Sequence, residues 1–210
     1  MDADPFQASL LDAAASVEVA PLPGAVRRRV LSAGAWVDVR PRWIEGADAL
    51  FERLRGGVPW RAERRPMYER MVDVPRLLAF YGAGQALPDS ALVAAQGALD
   101  EYYAAELGER FVTAGLCLYR DGRDSVAWHG DRIGRGDRQD TMVAIIVLGS
   151  PRPLLLRPRG GGPALRFELG HGDLIVMGGS CQRTWDHAVP KSARPVGPRI
   201  SVQFRPRDVR

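Results

Sequence analysis

Three histidines stand in the 210-residue chain, few enough to weigh each for the chemistry it could do. His129 is followed by Gly130 and Asp131. In an extended strand the side chains of residues i and i+2 emerge on one face, so this imidazole and this carboxylate can converge on one point. That is metal-ligand geometry, although a motif this short also arises by chance. His187 lies in Trp185-Asp186-His187-Ala188-Val189-Pro190, beyond the apolar run Leu174-Ile175-Val176-Met177. Two imidazoles and one carboxylate hold non-haem Fe(II) from three sides and leave positions open for a co-substrate and O2, whereas structural zinc calls for a closed tetrahedral shell with thiolates. Iron is therefore the expected metal, with His129, Asp131 and His187 as its ligands. His171, in the turn Gly170-His171-Gly172-Asp173, has no ligand neighbour at strand spacing and is expected to be an exposed turn residue.

A second set lies near the C-terminus, where Arg199, Ser201, Gln203 and Arg205 alternate with Ile200, Val202 and Phe204. One face of such a strand is apolar and the other carries two guanidinium groups. An edge strand with its charges in water fits the pattern. So does a strand whose two arginines serve the anionic ends of a dicarboxylate such as 2-oxoglutarate.

These residues need a frame. Leu50, Phe51 and Leu54 lie on one face of a short helix stopped by Gly56-Gly57, and Leu92, Ala95, Leu99 and Tyr103 mark a longer helix from Asp89 to Leu107, capped by Asp89 or Ser90. From about Val112 onward the chain reads as short apolar runs separated by Gly, Asp and Pro, the texture of an antiparallel barrel or jelly roll. The fold class is mainly β with flanking helices (α+β), in one compact domain. Residues 1–30, ending in Arg27-Arg28-Arg29, read as a loosely attached lead-in.

Composition narrows the function less. The net charge of +4 leans toward a polyanionic partner, but of the 29 basic residues only Lys191 is lysine, and a GC-rich coding bias yields the same arginine excess. No run is long and apolar enough to span a bilayer, and the acidic start is unlike a secretory signal, so a soluble cytoplasmic protein is expected. Cys117 and Cys181 form neither a disulfide framework nor a zinc motif and are expected to be reduced core thiols.

Four segments taken together, Leu118 to Asp131, Gly172 to Gly179, Trp185 to Lys191 and Pro198 to Arg205, resemble the AlkB family of nucleic-acid dealkylating dioxygenases in order and spacing. The likeness covers about residues 60–205. It implies a double-stranded β-helix (jelly roll), with a helix and nucleotide-recognition lid over residues 31–85 and the catalytic core over 86–210. It implies Fe(II), 2-oxoglutarate and O2, with Arg199 and Tyr119 gripping the distal carboxylate and Arg205 near the metal-chelating end. Cys117 and Ser201 would line the same pocket. The implied reaction removes a methyl group from a base nitrogen as formaldehyde, with succinate and CO2 as co-products. The partner would be alkylated DNA, with RNA as a second candidate, met by a monomer and no membrane. Pro66 to Gly82 resembles the lid: Tyr81 and the His129 ring are candidates to sandwich a flipped base, Arg76 a candidate phosphate contact and Trp128 a further substrate contact, while Trp60 and Phe80 read as core packing. Departures stand beside these matches. Cys117 replaces a frequent asparagine, Ser201 and Gln203 replace asparagine and threonine, and Arg132-Ile133-Gly134-Arg135 follows Asp131 where repair members commonly carry an acid. Two other readings are an oxygenase of this fold acting on a modified tRNA base or small molecule, and a non-catalytic nucleic-acid-binding jelly roll.

Overall fold

The computed structural model describes residues 16–67 and 70–209. In chain order its strands and helices are β1 (Glu18–Val19), β2 (Arg27–Val30), β3 (Ala35–Arg40), β4 (Ile44–Glu45), α1 (Ala47–Gly57), β5 (Arg61–Met67), β6 (Arg70–Tyr81), α2 (Ser90–Leu107), β7 (Thr113–Tyr119), β8 (Val126–His129), β9 (Val143–Gly149), β10 (Arg152–Pro158), β11 (Leu165–Leu169), β12 (Asp173–Gly179), α3 (Cys181–Thr184), β13 (Trp185–Val189) and β14 (Arg199–Arg205). An eight-stranded sheet in the order β2-β3-β12-β9-β14-β7-β6-β5 faces a four-stranded sheet in the order β11-β10-β13-β8, the double-sheet jelly roll expected. Every pairing is antiparallel.

The larger sheet is covered on both sides, which is why its central strands carry no polar alternation. Along β9, Ala144, Ile146 and Leu148 pack toward α1 and α2, while Val143, Ile145 and Val147 pack toward the smaller sheet. α1 and α2 pack on the far side from the smaller sheet. Asp89 caps α2 by accepting the Ala91 N–H at 2.9 Å, and its carboxylate also holds Arg53 of α1 at 2.7 Å. Leu92, Ala95, Leu99 and Tyr103 are buried on the anticipated face, each large apolar side chain contributing on the order of 1.5–3 kcal/mol.

The expected lead-in divides in two. Residues 1–15 lie outside the described residues, whereas Arg27–Val30 forms β2 against β3. β3 itself was not legible in advance because Asp38 interrupts it. That carboxylate is 1% exposed, yet it accepts from Arg28 Nε and Nη2 and from the Tyr103 hydroxyl, so burial leaves it paired. β14 is a central strand between β7 and β9, which removes the solvated-edge reading of its arginines.

Candidate active site

The alternation on β14 sends Arg199, Ser201, Gln203 and Arg205 into the space between the sheets. The register lays Tyr119 beside Arg199, Cys117 beside Ser201, Gly115 beside Gln203 and Thr113 beside Arg205. Opposite, β13 and β8 pair with His187 facing His129, so both imidazoles point inward. Asp131 follows β8, and the side chains of His129, Asp131 and His187 bring one ligand atom each within 4.8 Å of one another. The glycine between them is sterically required: a Cβ at Gly130 would stand 2.5 Å from the Gln182 carbonyl and 3.2 Å from that of Trp185.

Hydrogen bonds prepare these groups for a cation. His129 Nδ1 lies 2.9 Å from the Ala127 carbonyl, so the ring proton sits on Nδ1 and the Nε2 lone pair is free to coordinate. Burial, assisted by His129, lowers the His187 pKa from 6.5 to about 3 and keeps that imidazole neutral. Burial alone would raise the Asp131 carboxyl, but Arg205, His187 and His129 outweigh it and hold Asp131 ionised far below the usual carboxylate range. Arg205 Nε donates to Asp131 Oδ2 at 2.7 Å, and Gln182 Oε1 accepts the Asp131 N–H at 2.9 Å, leaving Oδ1 toward the imidazoles. Two imidazoles and one carboxylate fit Fe(II) with open positions.

At the other end of the same strand face Arg199 is 2% exposed, and its Nε and Nη1 have no hydrogen-bond partner. Burial lowers its pKa, with Tyr119 opposing. Its guanidinium carbon lies 5.0 Å from the Tyr119 ring centroid. A buried cation with unbonded N–H groups is costly unless an anion arrives, so the residues present fit a carboxylate here. Ser201 and Gln203 lie between the two arginines, with Gln203 Nε2 donating to Ser201 Oγ at 2.6 Å and the Cys117 thiol 3.7 Å from Gln203 Oε1. Both cysteines are free and buried.

A family model for the 2OG-Fe(II) oxygenase superfamily matches residues 82–205. The chain belongs to that superfamily. It is 28% identical over 214 residues to the alpha-ketoglutarate-dependent dioxygenase alkB homolog 3 of Bos taurus, covering 90% of this chain and 69% of that protein. It is 31% identical over 134 residues to the DNA oxidative demethylase ALKBH2 of Arabidopsis thaliana, covering 51% and 41%. Among solved structures, OsALKBH1 superposes with a TM-score of 0.58 at 13% identity, covering 86% of this chain and 100% of that one. The AlkB resemblance, the jelly roll and the dioxygenase assignment with Fe(II), 2-oxoglutarate and O2 are thereby borne out.

The lid side chains depart from expectation. Phe80 pairs with Gly115 and so faces inward, 52% exposed, whereas Tyr81 pairs with Ala114 and packs against the helix-side core with Trp60 and Leu77. Tyr81, expected at the substrate, thus packs toward the helices, and Phe80, expected in the core, faces inward, because one residue of register reverses every face. Trp128 neighbours inward-pointing His129 and therefore points outward, with the Arg157 guanidinium 4.2 Å from its ring centroid. It is not brought together with the metal ligands. Arg132 donates to Asp186 at 2.7 Å, and Asp186 shares that outward face. Arg76 donates to the Ser125 carbonyl at 3.0 Å. His171 is partly buried and accepts the Gly149 N–H at 2.7 Å, a structural turn residue where an exposed one was expected. Sequence reasoning also passed over Arg152, which is 2% exposed and donates to the carbonyls of Asp121, Asp124 and Pro190. It fastens the loops that adjoin β8 and β13, and only its burial and partners disclose that role.

Proposed function

We propose that the chain removes alkyl groups oxidatively from bases in DNA, with RNA as a further candidate substrate, acting as a monomer and releasing formaldehyde, succinate and CO2. The observation that carries this reading is the juxtaposition of the metal-ligand set with an inward-facing aromatic on the strand that leads out of the β5–β6 hairpin. Phe80 shares a row with Gly115 and Gln203, and Arg205, which holds Asp131, would approach a Cβ at Gly115 to 3.0 Å. A flat apolar ring near the metal is what an extruded base needs on one face, and the His129 ring can supply the other. Exposed Arg61 on β5 is placed for a backbone phosphate, while Arg64 beside it is paired with Asp73 at 3.1 Å. The names of the relatives, a DNA oxidative demethylase among them, support the same class of substrate. On this reading residues 31–85 hold the helix and lid and 86–210 the catalytic core.

When bound, iron with 2-oxoglutarate and O2 supplies the oxidising chemistry. The protein's part is positional. His129 Nε2, Asp131 Oδ1 and His187 present the metal with three donors on one side. Arg205 fixes the carboxylate rotamer, and Arg199 with Tyr119 anchors the distal carboxylate. Phe80 and His129 would hold the base between them with its alkyl carbon toward the metal-ligand set.

The test is anaerobic loading with Fe(II) and 2-oxoglutarate, then exposure to air with oligonucleotides bearing 1-methyladenine, 3-methylcytosine or 1-methylguanine. Mass spectrometry should show loss of one methylene mass, abolished in His129→Ala. Succinate formation with every oligonucleotide unchanged would reject nucleic acid as the substrate while keeping the oxygenase.

A further inference from the structure

We propose that Arg76 is a second cation for the distal carboxylate of 2-oxoglutarate, contributed by the strand that also carries Phe80. The co-substrate itself follows from the family; the inference concerns which of this chain's residues receives it.

Register gives the first argument. β6 pairs with β7 through Leu77 with Leu118 and Leu78 with Cys117, so the next position along places Arg76 beside Tyr119. Leu78 packs inside the jelly roll and Leu77 on the helix side, so alternation turns Arg76 inward. Arg199 flanks Tyr119 from the other side. The phenol therefore stands between two guanidinium groups on neighbouring strands, and both act electrostatically on its ionisation.

Hydrogen bonding gives the second. Arg76 Nη1 donates to the Ser125 carbonyl, but its Nε is buried and has no partner, and Arg199 Nε and Nη1 share that condition. The carboxylates nearest this end are already engaged: Asp121 by Arg123 at 2.6 Å and Asp124 by Arg120 at 2.8 Å. Arg152, the third guanidinium near Tyr119, also has an unpartnered Nε, but both its Nη atoms are committed to three backbone carbonyls, whereas Arg76 commits only Nη1. The Arg199 charge is buried without a counter-ion, and partly buried Arg76 turns an enclosed, unbonded Nε to the same place; the distal carboxylate of a bound dicarboxylate would serve both. A phosphate contact was the role first expected for Arg76; the register turns its side chain inward, and Nη1 donates to Ser125 at the head of β8.

Calorimetry of 2-oxoglutarate binding to the anaerobic, Mn(II)-loaded full chain, without nucleic acid, tests this. The comparison ligand is 2-oxopentanoate, which replaces the distal carboxylate with a methyl group. Arg76→Gln should weaken 2-oxoglutarate about tenfold and leave 2-oxopentanoate within about twofold, as loss of one charge-assisted contact predicts. Arg76→Lys should recover part of the difference. Unchanged 2-oxoglutarate affinity overturns the proposal, and so does an equal loss for both ligands, which would make Arg76 a support of the fold alone. Should Arg76→Gln fail to fold, Arg76→Lys carries the same comparison, with a loss of severalfold confined to 2-oxoglutarate expected and no ligand-specific loss refuting. Because nucleic acid is absent throughout, a failure of the dealkylation reading leaves this result standing, and the reverse also holds.

Discussion

Replacing Arg205 with methionine removes the bond that orients Asp131. The pair is largely withdrawn from solvent, with side-chain exposures of 15% and 5%, and Arg205 Nε lies 2.7 Å from Oδ2. A hydrogen bond to a charged partner of this kind contributes about 1.5–3 kcal/mol. Its loss acts twice on the metal: the carboxylate becomes easier to protonate, and it is free to rotate away from the donor arrangement shared with His129 and His187. At about 1.4 kcal/mol per tenfold, the expected drop in Fe(II) affinity is about tenfold to hundredfold, the range known for groups that orient metal ligands. Anaerobic competition against a chelator, without 2-oxoglutarate, measures it directly, and circular dichroism reports whether the sheets persist. Arg199→Met is the control, because Arg199 touches no ligand and should change 2-oxoglutarate affinity alone. A folded Arg205→Met variant with wild-type Fe(II) affinity would refute the assigned role.

Four further outcomes are expected. Gly130→Ala should destabilise the protein by about 1–3 kcal/mol and abolish stoichiometric metal binding, since the new methyl group meets the Gln182 carbonyl at 2.5 Å; thermal melting and metal analysis check both. Phe80→Ala should raise KM for a methylated oligonucleotide at least tenfold with little change in Tm, whereas Tyr81→Ala should lower Tm through lost packing, and the reverse pattern would overturn the facing of β6. Tyr119→Phe should weaken 2-oxoglutarate severalfold in the calorimetric assay and leave Fe(II) affinity unchanged, because it removes the hydroxyl that hydrogen-bonds Arg199 while the metal ligands lie elsewhere. The metal-free protein should lose stability in acid: a folded pKa depressed from 6.5 to about 3 at His187 gives stability that is complete above about 6.5 and declines as pH falls toward 3, and Asp131 acts in the same direction below its ordinary 3.8. Chelator-treated protein melted between pH 8 and 4 shows this slope, and His187→Gln should flatten it.

Much of this was legible because apolar patterning survives in one dimension. The runs that became β7, β9, β12 and β14 announce themselves, and Asp89 with its Leu92, Ala95, Leu99 and Tyr103 face fixes α2 to within a residue. The metal ligands were legible for the same reason: His129 and Asp131 two residues apart, with His187 following a second strand. Misassignments arose where pairing between strands decides the outcome. Tyr81 and Phe80 differ by one position, and nothing local reveals which of them meets Gly115 across the ladder. Arg76 looked like a surface cation because its neighbours on β7 and in the loop before β8 are distant in sequence. Trp128 is a different case, since the alternation that turns His129 inward already turns Trp128 outward.

Four charged groups share a physical character, two of them read from the sequence and two passed over. Arg199 and Asp131, like Arg152 and Asp38, are buried to within 4% of full enclosure, where composition rules place apolar side chains. Three of them are compensated within the fold: Asp38 by Arg28 and Tyr103, Asp131 by Arg205 and Gln182, and Arg152 by backbone carbonyls. Arg199 is left furthest from satisfaction, with Nε and Nη1 unbonded where Arg152 lacks a partner at Nε alone. A group that the fold could have satisfied and did not is one whose partner comes from outside, and its place on the strand that also carries Arg205 aligns that partner with the metal. On the reading proposed above, the unbonded N–H groups of Arg199 and the donor set at His129, Asp131 and His187 serve the two ends of one co-substrate, and β14 joins them.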